Sequence, residues 1–191
     1  MVEKIKHQYK EKIKNNVVIL FAPTYRAEEG QKESDINFIE ILIGISKKME
    51  DNKVIVYKPH PYLLGESLGA LDDYENIIVA EQYSLNEWML VSDALITDYS
   101  SSIFEYAILE RPMAHFVPDL DEYLANRGLY YPIEVISDGE IIRDVNHLLE
   151  WINERSFNEH LNTKRMMKFN FSNVGNASER ITKHFLKSDE N

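Results

Sequence analysis

The amino-acid sequence predicts a doubly wound α/β domain built on a parallel sheet. Two observations predict it: short apolar runs rich in β-branched and aromatic residues, and helical patterns between them. A strand that reads as a continuous apolar run is buried on both faces, as in parallel sheets. Strand and helix in alternation call for right-handed crossovers.

The elements follow in order. Residues 1–15 carry Ile5, Tyr9 and Ile13 at spacings of four, the stripe of a short Lys-rich helix docked on the domain. Val17 to Phe21 is the first strand, stopped by Ala22, Pro23 and Thr24. A helical pattern from Ser34 leads to a second strand, Val54 to Tyr57. Ile77 to Val79 is the third. Ser84 and Glu87 have capping-box spacing and open a helix through Trp88 and Leu90. Ala94 to Thr97 is the fourth strand, Ser101 or Ser102 caps the next helix, and Pro112 to Val117 is the fifth. Residues 119–132 read as a loop, and 138–191 as mostly helical, with Gly175 a break and Asn176 the cap of a last helix to Leu186. No boundary divides residues 1–191, so a single domain is expected.

Composition excludes several function classes. The chain has 191 residues, 44% hydrophobic, and carries 21 Lys plus Arg against 32 Asp plus Glu, a net charge of −11. That balance argues against a nucleic-acid partner, which needs a basic footprint. With no cysteine, thiolate nucleophiles, disulfides and Cys-ligated zinc are excluded; a reducing cytoplasm is compatible. The histidines lack HExxH or other close ligand spacing, so no metal is expected, nor any cofactor, since neither GxGxxG nor GxxxxGKS/T occurs. No window has the ~18 consecutive apolar residues of a membrane span.

In open α/β sheets ligands bind beyond the carboxyl ends of the strands, which directs attention to three segments. After strand one, Pro23, Thr24 and Arg26 offer a rigid turn, a hydroxyl and a guanidinium suited to phosphate; a plain polar loop is the competing reading. After strand two, Lys58, Pro59, His60 and Pro61 hold a histidine between two prolines, placed to move a proton or to meet phosphate, with Lys58 adding a charge. The competing reading is a loop histidine bonded to a neighbouring carbonyl. After strand four, Ser100, Ser101 and Ser102 supply hydroxyls at a helix start, and Glu105, one turn in, is placed for sugar hydroxyls; ordinary helix capping explains the same pattern. Together the three suit a nucleotide diphosphate. Phe116, Tyr123, Tyr130 and Tyr131 read as core and loop packing.

Five segments in this order, VVILFAPTYR (17–26), KPHP (58–61), SDALITDYSSSIFE (92–105), DLDEYLANRGLYY (119–131) and GNASERI (175–181), resemble the CDP-glycerol glycerophosphotransferases that build teichoic acids. The resemblance spans most of the chain from Val17 onward. It implies a GT-B type architecture, two Rossmann-like domains facing across a cleft, with this chain as the C-terminal, donor-binding half. Pro23, Thr24, Lys58, Pro59, His60, Ser100, Ser101 and Glu105 fall on positions that contact CDP-glycerol in the family, and His60 matches a catalytic histidine. Glu105 stands where the family usually has Asp. The family's other catalytic histidine, in a His-Gly motif of the N-terminal domain, has no counterpart here.

The implied reaction moves glycerol phosphate from CDP-glycerol to a lipid-linked acceptor and releases CMP. The acceptor would be held through the N-terminal domain, and the longer enzyme would be cytoplasmic, peripheral at the inner face of the membrane. This chain alone would bind donor and turn over poorly. A UDP-sugar-dependent GT-B glycosyltransferase and a non-catalytic nucleotide-binding domain remain alternatives, because a diphosphate sits in the same place in each.

Overall fold

A computed structural model describes residues 2–24, 36–60, 68–154, 157, 159–164, 166–167 and 175–186. Strands β1 (Val17–Phe21), β2 (Lys53–Tyr57), β3 (Ile77–Val79), β4 (Ala94–Thr97), β5 (Met113–Phe116) and β6 (Glu140–Ile142) form one sheet in the order β3-β2-β1-β4-β5-β6. Every pairing is parallel: Phe21 stands opposite Tyr57 on one side and Ile96 on the other. The chain winds outward from β1 to β3, returns to β4 beside β1, and winds outward again. The winding therefore reverses between β1 and β4, the place where doubly wound sheets open a crevice.

Alternation along each strand divides the core into two layers. Ile19, Phe21, Ile55, Tyr57 and Ile96 face one side, packed with Leu42 and Ile45 of α3 (Phe38–Ser46) and with Leu148, Trp151 and Ile152 of α8 (Val145–Glu154). Val18, Leu20, Val54, Val56 and Leu95 face the other, packed with Trp88 of α4 (Leu85–Val91) and with Ile103 and Tyr106 of α5 (Ser102–Ala107). The leading segment joins this second layer as α1 (Val2–Gln8) and α2 (Lys10–Ile13), with Ile5 and Ile13 buried and the Tyr9 ring 5.2 Å from Trp88. Both halves of the Ser84–Glu87 capping box are formed. Arg111 donates to the carbonyls of Met89, Leu90 and Ser92, where the exposed carbonyls of α4 carry partial negative charge.

Two expectations need correction. The 119–132 stretch is not simply loop: α6 (Leu120–Asn126) lies within it, followed by α7 (Ile133–Ile136). The C-terminal part contributes the edge strand β6 before α8; only two of its three residues are apolar, so no apolar run of the kind seen in β3 stands out. Ser34, where the second helical pattern was placed to begin, lies outside the described residues, and the helix there is capped by Asn37, which accepts from the Glu40 N–H. The last helix, α9 (Ala177–Leu186), buries none of its residues. Among the described residues no helix is long and apolar enough to cross a membrane.

Gly139, just before β6, marks a close approach. A Cβ there would lie 2.8 Å from Met113 Cγ, 3.1 Å from Ser137 Oγ and 3.2 Å from His115 Cδ2, all on buried residues. Gly139→Ala is expected to destabilise the fold by ~1–3 kcal/mol through overpacking, checked by urea unfolding.

Candidate functional site

The site grows from the ends of β1, β2 and β4, three strands that lie side by side. The sheet ladder carries slightly past the strands: Ala22 N–H donates to Ile96 O and Lys58 N–H to Phe21 O, both at 2.9 Å. The chain segments that leave the sheet at Pro23, Pro59 and Tyr99 thus start from fixed positions. Pro23 and Pro59 are buried, Thr24 and His60 half-buried.

Asp98 joins two of these segments. Its side chain is 1% exposed. The Thr24 N–H donates to both carboxylate oxygens, at 3.0 and 2.9 Å, the Thr24 hydroxyl donates at 3.0 Å, and the Tyr99 N–H at 2.7 Å. Beside it the Thr97 hydroxyl donates to the Ala22 carbonyl at 2.7 Å. The carboxylate therefore bridges β1 and β4 at the reversal of winding.

His115 of β5 extends this polar chain. Its Nδ1 lies 2.8 Å from the Asp98 carbonyl oxygen, which only accepts, so Nδ1 carries the proton. Nε2 then accepts from the Ser137 hydroxyl at 2.7 Å, and Ser137 Oγ accepts from the Gly139 N–H at 3.0 Å. Burial holds the His115 imidazole below the ordinary histidine range, against the opposing pull of the Asp98 carbonyl and of the Asp98 and Glu134 charges. It is a neutral strut.

The residues expected to bind substrate are placed as follows. Lys58 turns its ammonium to the carbonyls of Ala80 (2.7 Å) and Tyr83 (2.9 Å), tying the end of β2 to the segment after β3. Its burial pushes the ammonium pKa down, with Glu81 opposing. Tyr83 takes a left-handed φ of 66° at that tie. The helix start after β4 is capped by Ser100, whose Oγ accepts from the Ser102 N–H at 3.2 Å. Neither Ser101 nor Ser102 caps it through its side chain: Ser101 is the N-cap residue without such a bond, and Ser102 Oγ is buried with no hydrogen-bond partner among the described residues. Glu105 is exposed in the first turn of α5. Arg26 lies outside the described residues.

Beside Ser100 and Ser101 opens a cavity of about 330 Å³, walled by Phe104, His115, Ile133 and the half-exposed Tyr131. Tyr99 ties its outer side to α6: the phenol donates to Asp119 Oδ1 at 2.9 Å, and the ring stacks on Tyr123 at 3.6 Å between centroids. Tyr123 and Phe116 therefore pack as expected, whereas Tyr130 is fully exposed.

Residue chemistry alone missed Asp98 and His115. Asp98 is visible in the sequence as a carboxylate directly after the strand Ala94–Thr97. His115 is the third residue of an apolar strand, and its partners come from residues 17 and 22 positions away. Among the described residues no three metal-ligating side chains form a group.

Fold and site together define an α/β domain of the class that receives ligands beyond its strand ends, where its winding reverses. The chain belongs to the Glyphos_transf family, CDP-Glycerol:Poly(glycerophosphate) glycerophosphotransferase, whose family model matches residues 2–187. It is 35% identical over 179 residues to the teichoic acid ribitol-phosphate primase of Bacillus spizizenii, covering 92% of this chain and 45% of that protein. It is 31% identical over 180 residues to the teichoic acid glycerol-phosphate transferase of Staphylococcus aureus, covering 89% and 45%. The chain thus spans less than half the length of these relatives. A solved structure of the wall teichoic acid polymerase TagF superposes with a TM-score of 0.72 at 30% identity, over 97% of this chain and 47% of that one. A putative UDP-N-acetylglucosamine 2-epimerase from Listeria monocytogenes, at 20% identity and a TM-score of 0.54 over 95% and 48%, shares the fold.

The His115 strut carries a pH signature. Its folded-state pKa is lowered, so the unfolded chain takes up the proton first. Stability is then full above pH ~6.5 and declines as pH falls from there through the lowered folded value. His115→Leu should remove this part of the slope in pH-dependent urea titrations. It also takes a partner from the Asp98 carbonyl and the Ser137 hydroxyl, at ~1–3 kcal/mol.

Proposed function

We propose that this chain is the donor-binding half of a teichoic acid polyol-phosphate transferase, using CDP-glycerol and passing glycerol phosphate to a lipid-linked acceptor. The observation that carries this reading is the gathering of Pro23 and Thr24, Lys58 to His60, and Ser100 and Ser101 at the ends of three adjacent strands in a family member. The likeness to TagF supports it, since a TagF crystal soaked with CDPG superposes over 97% of this chain at a TM-score of 0.71.

In this reading an acceptor hydroxyl attacks the phosphorus that bears glycerol. The bond from that phosphorus to the CMP oxygen breaks, CMP leaves with the electron pair, and the hydroxyl proton passes to a base. Such transfers rest on positioning and charge stabilisation more than on covalent chemistry. Ser100 and Ser101 hold phosphate oxygens, as does Arg26. His60, fixed by the buried Pro59, takes the proton or meets the departing phosphate charge. Pro23 and Thr24 shape the β1 side, Glu105 meets a ribose or polyol hydroxyl, and Lys58 acts from behind by holding the segment after β3. The acceptor is held by a further domain of the longer enzyme, working at the inner membrane face.

A second donor, CDP-ribitol, is favoured by the 35% identity to a ribitol-phosphate primase. Calorimetric titration with CDP-glycerol, CDP-ribitol, CMP and UDP-N-acetylglucosamine separates the readings: a CDP-polyol is expected to bind, and preference for the UDP-sugar would sink the proposal. His60→Ala in the longer enzyme is expected to lower turnover by roughly 10²–10⁴. Unchanged turnover together with unchanged donor affinity would remove His60 from its role.

A further inference from the structure

We propose that Asp98 is the positioning residue of the donor site, setting the spacing between the Thr24 segment and the Tyr99–Ser101 segment across the reversal of winding. The assignment rests on the reading that this site receives a CDP-polyol.

β1 and β4 are paired at Ile19–Ala94, Leu20–Leu95 and Phe21–Ile96. At the far end Asp93 locks them again: its N–H donates to Val18 O at 2.7 Å and its Oδ2 accepts from the Val18 N–H at 2.8 Å. At the near end the ladder bond from Ala22 to Ile96 and the Thr97 hydroxyl complete the pairing. Strand pairing therefore does not depend on Asp98.

What Asp98 holds lies beyond the ladder. Among the described residues, the donors on its carboxylate come from Thr24 and Tyr99, the residues where the two segments leave the sheet. A carboxylate taken out of water is costly unless its oxygens are hydrogen-bonded, so this arrangement is sharply defined: moving either segment strips bonds from a buried charge. The Asp98 carbonyl is fixed independently by His115 from β5, so the clamp cannot follow one segment away from the other. Ser100 and Ser101 follow within three residues and inherit the position.

The geometry also indicates how the clamp works. Both Thr24 donors, the N–H and the hydroxyl, point at Asp98. An inward carboxylate repels a phosphate at contact distance, so Asp98 acts through the segments it spaces and touches no ligand.

The test combines stability, amide exchange and donor binding in Asp98→Asn, Thr24→Val and the double variant. Asp98→Asn keeps the volume but presents an NH₂ or a single acceptor to the same donors. It is expected to melt cooperatively, to speed exchange at the Thr24 and Tyr99 amides at least tenfold, and to weaken CDP-polyol binding at least tenfold. Thr24→Val is expected to weaken binding in the parent background and add little to Asp98→Asn, since both break one clamp. Should Asp98→Asn fail to fold, Thr24→Val still decides: weakened binding with a near-native melt and faster exchange at the Tyr99 amide, across the clamp from the substitution, supports the assignment, and an unchanged Tyr99 amide overturns it. A folded Asp98→Asn with parental donor affinity overturns it and leaves the donor reading standing. So does additivity in the double variant. A parent chain that binds neither CDP-polyol nor CMP overturns the donor reading, and this assignment with it.

Discussion

The spacing of the strand ends turns on one buried carboxylate at the point where the winding of the sheet reverses. Parallel sheets leave their strand ends to diverge, because each crossover starts in its own direction after the last ladder bond. Between β1 and β4 two chain segments depart toward opposite layers, and nothing in the ladder fixes how far apart they stand. Asp98 does so with bonds from Thr24 and Tyr99. Through its carbonyl and His115 the restraint reaches β5, and through Ser137 and Gly139 it reaches the approach to β6. One polar chain thus crosses four neighbouring strands on the side where the candidate site lies. Asp98, His115 and Ser137 in it are buried, and buried polar chains are rigid only when satisfied throughout.

Such a chain explains why the small residues around it are small. Gly139 has no room for a Cβ between Met113, Ser137 and His115. Ser137 fits one hydroxyl between an imidazole and a backbone N–H, acting as donor to the first and acceptor to the second. Lys58 performs a related task on the other flank of β1, where its ammonium gathers the Ala80 and Tyr83 carbonyls. The strand ends on both sides of β1 are held by side chains as well as by the ladder, which is what a site assembled from separate loops requires.

How much of this was legible in the sequence follows from the range of each signal. Strands β1 to β5 and the Ser84 capping box are local patterns, and the structure places them within a residue or so of expectation. β6 escaped because only Ile141 and Ile142 of its three residues are apolar and Glu140 is exposed, whereas β3, equally short, is apolar throughout. The cap of α5 went to Ser100 because, of three consecutive serines, only the backbone path decides which hydroxyl faces the Ser102 N–H. Lys58 was read by its charge, but its burial and the carbonyls within reach depend on residues 22 and 25 positions later. His115 belongs to the same class: no local pattern distinguishes a buried strut from a packed strand histidine.

The charge balance fits the same logic of range. A net charge of −11 gives the molecule a surface that does not draw anions from a distance. An anionic donor must then be recognised by donors at contact range, where hydrogen bonds and exclusion of water outweigh the screened field of the surface. Contact-range recognition tolerates little misplacement, since hydrogen bonds weaken steeply with angle and distance. An acidic protein that binds an anionic nucleotide therefore depends more on rigid strand ends than a basic one would. In the proposed donor site that rigidity would come from a carboxylate which, placed in contact with the ligand, would oppose binding.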